Sequence, residues 1–124
     1  MYNCIYDCSY CFLQGMYSSA NFVLFVNYED FVLKIKKLIS KKENITFFSG
    51  YDCDSLALEN ITSFATYILP IFKEYSNCTL ELRTKSNQIK PLDKIEPIKN
   101  CVIAFSLMPD KISLALDKKA PTIK

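Results

Sequence analysis

Apolar residues fall into short runs and helical stripes that alternate along the chain. The apolar run at 22–26 is typical of a strand buried on both faces. Apolar positions at helical spacing then predict a helix over about 28–42, with Asn27 as its N-cap. A second stripe predicts a helix over about 58–75, which Pro70 should kink. The remaining pattern predicts loops at 4–20 and 50–57, strands at 45–48, 79–84 and 101–105, a short helix within 88–99, and a partial helix from Pro109 to about Asp117.

This alternation of strands and helices predicts an α/β fold with parallel strands and right-handed crossovers, formed by a single domain over 1–124. In such folds ligands bind at the carboxyl ends of the strands. Candidate polar residues follow three of the predicted strands at those ends, and a cluster of cysteines lies in a nearby loop. The sequence therefore predicts one site at one rim of the sheet. The strand-end residues are Ser49, Gly50, Thr84, Lys85 and Ser106.

Composition indicates a folded globular chain. Half of the 124 residues are hydrophobic and 14% are aromatic, which is enough apolar surface for a core. The net charge of +2 is too small to indicate a nucleic-acid partner. The sequence has no secretory signal and no apolar run long enough to span a bilayer, so we expect a cytoplasmic protein without membrane association. It has no histidine, which excludes mixed Cys/His zinc sites and His-based triads.

Three cysteines close to the start of the chain, Cys4, Cys8 and Cys11, have C-x3-C-x2-C spacing. A closed zinc site takes four protein ligands, whereas three thiolates can hold three irons of a [4Fe–4S] cluster and leave the fourth iron open. The alternative is a zinc or structural site with Cys53 as the fourth ligand. Cys78 begins a predicted strand, as does the remaining cysteine, Cys101, and both are expected in the core.

Four segments resemble the spore photoproduct lyase group of radical S-adenosylmethionine proteins. The resemblance covers nearly the whole chain, with the segments in the family's order. It implies a partial (β/α)6 barrel, of which this chain would be a fragment without the first strand and the C-terminal part. The segments are the cysteine triplet followed by Phe12-Leu13-Gln14, residues 54–62, Leu82-Arg83-Thr84-Lys85, and Phe105-Ser106-Leu107-Met108-Pro109, with Ala120-Pro121 trailing.

The resemblance implies a cofactor pair and a reaction. A [4Fe–4S] cluster on the three cysteines would reduce S-adenosylmethionine (AdoMet) to a radical that acts on a thymine-dimer lesion in DNA. Electrons would come from an external one-electron reductant such as flavodoxin or ferredoxin. Each implied AdoMet-binding residue also has an interpretation without a ligand. The tyrosine can cover the cluster from water, the Ser-Gly pair can be an ordinary turn, the lysine can be solvated, and the last serine can be a polar strand end. The implied AdoMet-binding residues are Tyr10, Ser49, Gly50, Lys85 and Ser106.

Cys53 is the candidate catalytic residue, as a thiol that returns a hydrogen atom to the substrate radical. Its acidic neighbours Asp52 and Asp54 disfavour ionisation, and a protonated thiol suits that role. The sequence departs from the family here, because alignment on 54–62 places the donor cysteine nearer Tyr51. Met108 also stands where the family usually has Asn.

Three alternatives accompany this interpretation. Cys53 can be a loop cysteine without a function. The chain can be a non-catalytic domain stabilised by zinc on four cysteines, binding nucleic acid for example, or an inactive truncated remnant. In the loop at 50–57, Asp54 or Ser55 is expected to cap the second helix.

Overall fold

The computed structural model describes residues 1–41 and 43–122. Lys42, at the end of the first predicted helix, lies outside the described residues. No described helix is both long and apolar enough to cross a membrane. The elements are α1 (Leu13–Met16), α2 (Tyr28–Ile39), β1 (Ile45–Ser49), α3 (Glu59–Thr62), α4 (Phe64–Lys73), β2 (Cys78–Thr84), a 3₁₀ helix (Lys90–Lys94), β3 (Cys101–Phe105) and α5 (Asp110–Leu116).

The three strands form one parallel sheet in the order β1-β2-β3. Ile45 of β1 lies opposite Cys78 of β2, and Leu80 of β2 lies opposite Cys101 of β3. The α/β fold class with parallel strands is confirmed. Because parallel strands end at the same edge, the residues that follow β1, β2 and β3 meet at one rim of the sheet.

One face of the sheet carries the core. Alternate residues of β2 point to that face and are buried, as the strand period of two requires. Cys78 is buried and Cys101 packs against the same core, as expected. The opposite face is open, since Phe48 is 64% and Val102 50% exposed. The buried core residues are Ile39, Leu56, Ala65, Ile68, Leu69, Phe72, Cys78, Leu80 and Leu82.

The predicted strand at 22–26 is wrong. Among the described residues, the one strand-type pairing of this segment is an isolated antiparallel bridge between Val23 and Tyr2. Val26 is 74% and Phe22 54% exposed, so the run is not a buried strand. Its Phe25 ring instead packs edge-on against the Tyr2 ring, with centroids 5.0 Å apart. A short apolar run does not by itself say whether a partner strand exists.

The predicted helix at 58–75 is two helices, and the break is not at the proline. Ser63 separates α3 from α4 and has a left-handed backbone conformation, with φ of 49°. The helix α4 then runs through Pro70. Sequence periodicity missed this break because the apolar stripe continues across it.

Two smaller predictions also fail. The Asn27 side chain donates to the Asp30 carboxylate at 2.9 Å rather than capping the backbone of α2. The loop predicted over 4–20 contains a short helix, α1. Neither change alters the sheet or the position of its rim.

Glu59 forms the junction between α3 and α4 and is 1% exposed. Its carboxylate accepts hydrogen bonds from the Ala65 and Thr66 amides, both at 2.9 Å, and from the Thr66 hydroxyl at 2.8 Å. These amides belong to the first turn of α4, where backbone donors lack partners within the helix. A carboxylate there also interacts favourably with the helix dipole.

Replacing Glu59 by Ala should therefore lower the free energy of unfolding by about 2–3 kcal/mol, because it leaves buried donors unsatisfied. Urea unfolding followed by circular dichroism measures this loss. Glu74→Ala is the control, since Glu74 is exposed and its nearest cation, Lys36, is 3.9 Å away. Equal losses for the two variants would contradict the capping role of Glu59.

Candidate functional site

The cysteine loop at the start of the chain is held by backbone and side-chain hydrogen bonds. The Cys11 amide donates to the Cys8 carbonyl at 3.0 Å, which closes a turn around the last two cysteines. The Gln14 side-chain amide donates to the same carbonyl at 2.5 Å. Tyr6 and Cys8 are 5% and 6% exposed and pack against Ala57 in a small core of their own. The loop thus has a defined conformation over the rim of the sheet.

Below this loop lies a cavity of about 370 Å³, which we call the cysteine cavity. It brings the three triplet cysteines together with Cys53 and with residues that follow all three strands. The cavity lies where parallel α/β folds bind their ligands. Its lining residues include Cys4, Cys8, Tyr10, Cys11, Gly50, Cys53, Thr84, Lys85 and Ser106.

The number of thiols bears on which inorganic group they suit. A closed zinc site takes four ligands, so Cys53 would have to join the triplet. A [4Fe–4S] cluster on three thiolates keeps one iron open for a further ligand. The three triplet thiols line one cavity and therefore fit such a cluster.

Asp54 joins the loop after β1 to the end of β2. Its carboxylate, 9% exposed, accepts hydrogen bonds from the Thr84 hydroxyl and the Lys85 amide, both at 2.6 Å. It also accepts from the Leu56 amide at 3.0 Å. The helix-capping role expected for Asp54 is therefore wrong, because α3 begins only at Glu59. Asp54 instead fixes the positions of Cys53 and Lys85 relative to each other.

A second buried carboxylate, Asp117, contacts two residues that line the cavity. It accepts a hydrogen bond from the Tyr10 hydroxyl at 2.6 Å and pairs with the Lys85 ammonium at 3.1 Å. The ammonium also donates to the Ser106 carbonyl at 3.2 Å and lies 5.7 Å from the centre of the Tyr10 ring. Lys85 is thus not the freely solvated lysine of the alternative interpretation, since its side chain is only 17% exposed.

The pKa values around this carboxylate follow from burial and from the ion pair. Burial opposes the charge on Asp117, but hydrogen bonds from Tyr10, Cys8 and Lys85 outweigh it and lower the pKa of Asp117. Burial likewise opposes the charge on Lys85, and its contacts with Tyr10 and Asp117 leave its pKa raised. Burial and the adjacent carboxylate raise the pKa of Tyr10 to about 12. The pair is therefore ionised at neutral pH, with a neutral phenol beside it.

The thiols of Cys4, Cys8 and Cys53 are protonated at neutral pH, because the pKa of each is raised. Burial, then the hydrogen bond to Asp117, raises the pKa of Cys8 to about 12, and burial raises that of Cys4. The pKa of Cys53 is also raised, first by burial and then by Asp54 and Asp52. The sequence anticipated the effect of these two acids on Cys53, but burial is the larger cause. A bound cation must displace the protons from its thiol ligands.

Ser49 and Tyr51 both line a second cavity next to the cysteine cavity. Ser49 does not line the cysteine cavity but borders an adjoining cavity of about 590 Å³ beside the outer edge of β1, which we call the edge cavity. Tyr51, at the position suggested for a donor residue, is 77% exposed and lines both cavities. Its ring packs edge-on against Phe12 at 6.5 Å.

Sequence reasoning missed Asp117 entirely. It appeared only as the end of a partial helix, and an acidic residue there gives no local signal of burial. Tyr10 and Asp117 are 107 positions apart in the chain. Only the folded chain brings them together.

The fold resembles that of solved spore photoproduct lyase structures. A complex of that enzyme with dinucleoside spore photoproduct superposes with a TM-score of 0.90 at 18% identity, over 98% of this chain and 37% of that one. A variant with bound AdoMet and dinucleoside spore photoproduct gives a TM-score of 0.85 at 18% identity, over 98% and 36% of the two chains. This chain thus spans just over a third of their length. No protein-family profile and no curated protein matches the sequence.

The predicted resemblance is confirmed at the level of the fold. The sequence predicts a fragment of a larger α/β barrel, and this chain with its three parallel strands superposes on part of the spore photoproduct lyase fold. At such low identity the likeness establishes the fold and leaves residue roles to be argued from the site.

Proposed function

We propose that this chain is the cluster- and AdoMet-binding part of a radical S-adenosylmethionine enzyme of the spore photoproduct lyase type. The observation that supports this most is the cysteine cavity, which gathers three closely spaced thiols and the ends of three parallel strands. The similar solved structures are of an enzyme described with AdoMet and a dinucleoside lesion. The proposed substrate is accordingly a thymine-dimer lesion in DNA or a compound that undergoes a related radical reaction.

In this proposal Cys4, Cys8 and Cys11 hold the [4Fe–4S] cluster. When bound, such a cluster supplies the electron that cleaves AdoMet, and an external reductant such as flavodoxin or ferredoxin replenishes it. The protein's share is to bind and orient the cofactor and to keep water out.

The remaining predicted residues would each bind a different part of AdoMet. Lys85 presents a cation for the AdoMet carboxylate, and the turn at Ser49 and Gly50 binds its amino group. The Tyr10 backbone and the Ser106 hydroxyl contact the adenosine part. Lys85, Ser106, Tyr10 and Gly50 all line the cysteine cavity, which is consistent with these roles.

Cys53 would return a hydrogen atom to the product radical. Its S–H bond is weaker than the C–H bond that forms, so the transfer is favourable. The role needs a protonated thiol, and the raised pKa of Cys53 provides one. Cys53 lines the cysteine cavity, where the cofactor is proposed to bind, and this supports the role.

Cys53→Ala tests this function. The full-length protein is reconstituted anaerobically with iron and sulfide, reduced, and mixed with AdoMet and dinucleoside spore photoproduct. We expect both parent and variant to form 5′-deoxyadenosine, but only the parent to give clean thymine product. The variant should give misdirected adducts, measured by liquid chromatography with mass spectrometry.

Cys78→Ala is the matched control, because Cys78 is buried in the core and does not line the cysteine cavity. It should give the parent's products. A parent protein that forms 5′-deoxyadenosine without touching the dinucleoside contradicts lesion repair and leaves the cofactor chemistry. A parent that forms none contradicts the proposed function.

The second candidate is a zinc-stabilised domain with four cysteine ligands. One observation favours it: Cys53 lines the same cavity as the triplet, so four thiols are available. Stoichiometric zinc in a colourless protein would identify this site.

A further inference from the structure

Asp117 is a buried carboxylate outside the predicted set of site residues. It is 7% exposed and lies directly after α5, in the segment 116–120. Its Oδ1 accepts from the Tyr10 hydroxyl at 2.6 Å. Its Oδ2 accepts from Lys85 Nζ at 3.1 Å and from the Ser113 hydroxyl at 3.2 Å. One carboxylate thus engages two of the proposed AdoMet-binding residues, one through each oxygen.

The backbone around Asp117 is attached to the cysteine loop as well. Asp117 and Cys8 form an antiparallel bridge, and the Ser9 amide donates to the Leu116 carbonyl at 2.8 Å. The Lys119 amide donates to the Tyr6 carbonyl at 3.1 Å. The segment 116–120 is therefore attached to the cysteine loop through backbone hydrogen bonds, and the Asp117 side chain reaches Lys85 after β2.

The ammonium of Lys85 has three hydrogens, and two of them have acceptors, at Asp117 and at the Ser106 carbonyl. The Tyr10 hydroxyl is a further hydrogen-bonding neighbour of this ammonium. Lys85 also lines the cysteine cavity, where a ligand would meet it. Without Asp117, the lysine would lose its buried counter-charge, and the long side chain would be free to turn to solvent.

We propose that Asp117 is a positioning residue of the cofactor site, which holds Lys85 towards the cavity and fixes the cysteine loop through Tyr10. This rests on the proposed function as far as the ligand is AdoMet. Its geometric part, the fixing of Lys85 and of the loop, stands on the described contacts alone.

Three variants separate the two effects. Asp117→Ala removes both contacts. Asp117→Asn keeps the size and one oxygen, which can accept from Tyr10, but lacks the charge opposite Lys85. Ser113→Ala removes the longest of the three side-chain hydrogen bonds and is the control.

Two measurements report on the variants. Hydrogen–deuterium exchange of the peptide 4–14 follows the cysteine loop, with β2 as the internal reference. Calorimetry on the reconstituted protein gives the AdoMet dissociation constant.

For Asp117→Ala we expect loop exchange to rise about tenfold and AdoMet affinity to fall about tenfold or more, from the loss of hydrogen bonds to a charged group. Asp117→Asn should keep the loop protected and still lose about tenfold in affinity. Ser113→Ala should change neither. If Asp117 is merely structural, Asp117→Asn should bind AdoMet as tightly as the parent protein does, and that result would overturn the proposal. Unchanged hydrogen–deuterium exchange of the loop in Asp117→Ala would overturn it too.

A third readout keeps this result separate from the fate of the proposed function. Acetylation of Lys85 by a small activated ester is followed by mass spectrometry on the protein without cofactor, with exposed Lys119 as reference. Several-fold faster modification of Lys85 in Asp117→Asn supports the positioning role even if the parent binds no AdoMet. An unchanged rate overturns it.

Discussion

Replacing any one of Cys4, Cys8 and Cys11 by Ala is expected to abolish the brown chromophore of the anaerobically reconstituted protein. The three thiols line one cavity, and each would hold a different iron of the cluster. Loss of one ligand leaves two attachment points and an iron exposed to exchange with solvent. Absorbance near 400 nm and iron per chain, about four in the parent protein, measure the effect.

Two further cysteine variants are controls for this loss of the cluster. Cys53→Ala should keep full iron content, because Cys53 is not a cluster ligand in the proposed function. Cys78→Ala should keep it too, since Cys78 is a core residue. If Cys53→Ala loses metal as completely as the triplet variants, and the parent holds colourless zinc, the four-cysteine zinc site is the correct description.

Gly50→Ala is expected to lower the free energy of unfolding by about 3 kcal/mol. Gly50 has φ of +85°, a conformation that side chains strain. A Cβ there would lie 2.9 Å from the Arg83 carbonyl oxygen and 2.6 Å from Ser55 Oγ. The serine hydroxyl can rotate away, but the carbonyl is backbone at the end of β2 and cannot move without disturbing the sheet. The same carbonyl accepts from the Ser55 amide at 3.1 Å, so a shift also costs that bond.

Gly15→Ala is the matched control for this prediction. A Cβ at Gly15 meets nothing within 4 Å, and the residue lies in α1, where Ala is favoured over Gly by up to about 1 kcal/mol. Urea unfolding of both variants by circular dichroism makes the comparison. A Gly50→Ala protein as stable as the Gly15→Ala protein would mean that the loop after β1 can yield, and that its contact with β2 is loose.

The parts of the molecule that depend on local spacing could be predicted from sequence. The strands at 45–48, 79–84 and 101–105 match β1, β2 and β3 closely because their apolar runs are bounded by turn residues. The meeting of Lys85 and Ser106 at one rim followed from the parallel order alone. The triplet shares one cavity because its cysteines are a few residues apart.

The failures share a different cause, which is dependence on distant or exceptional contacts. The run at 22–26 has the composition of a strand, but no described strand lies beside it to pair with. Ser63 takes a left-handed conformation that an apolar stripe does not reveal. Asp117 becomes part of the site only when α5 brings the far end of the chain against the cysteine loop.

The open face and the outer edge of β1 have a consequence for how the protein behaves in solution. Phe48 and Val102 present apolar surface where parallel sheets are normally covered, and the edge cavity adjoins the free side of β1. An uncovered edge of this kind is a template for another strand, and the apolar face favours any partner that covers it. We therefore expect self-association through the sheets at high protein concentration. Dilution or a charged fusion partner should improve solubility more than a more stable core would.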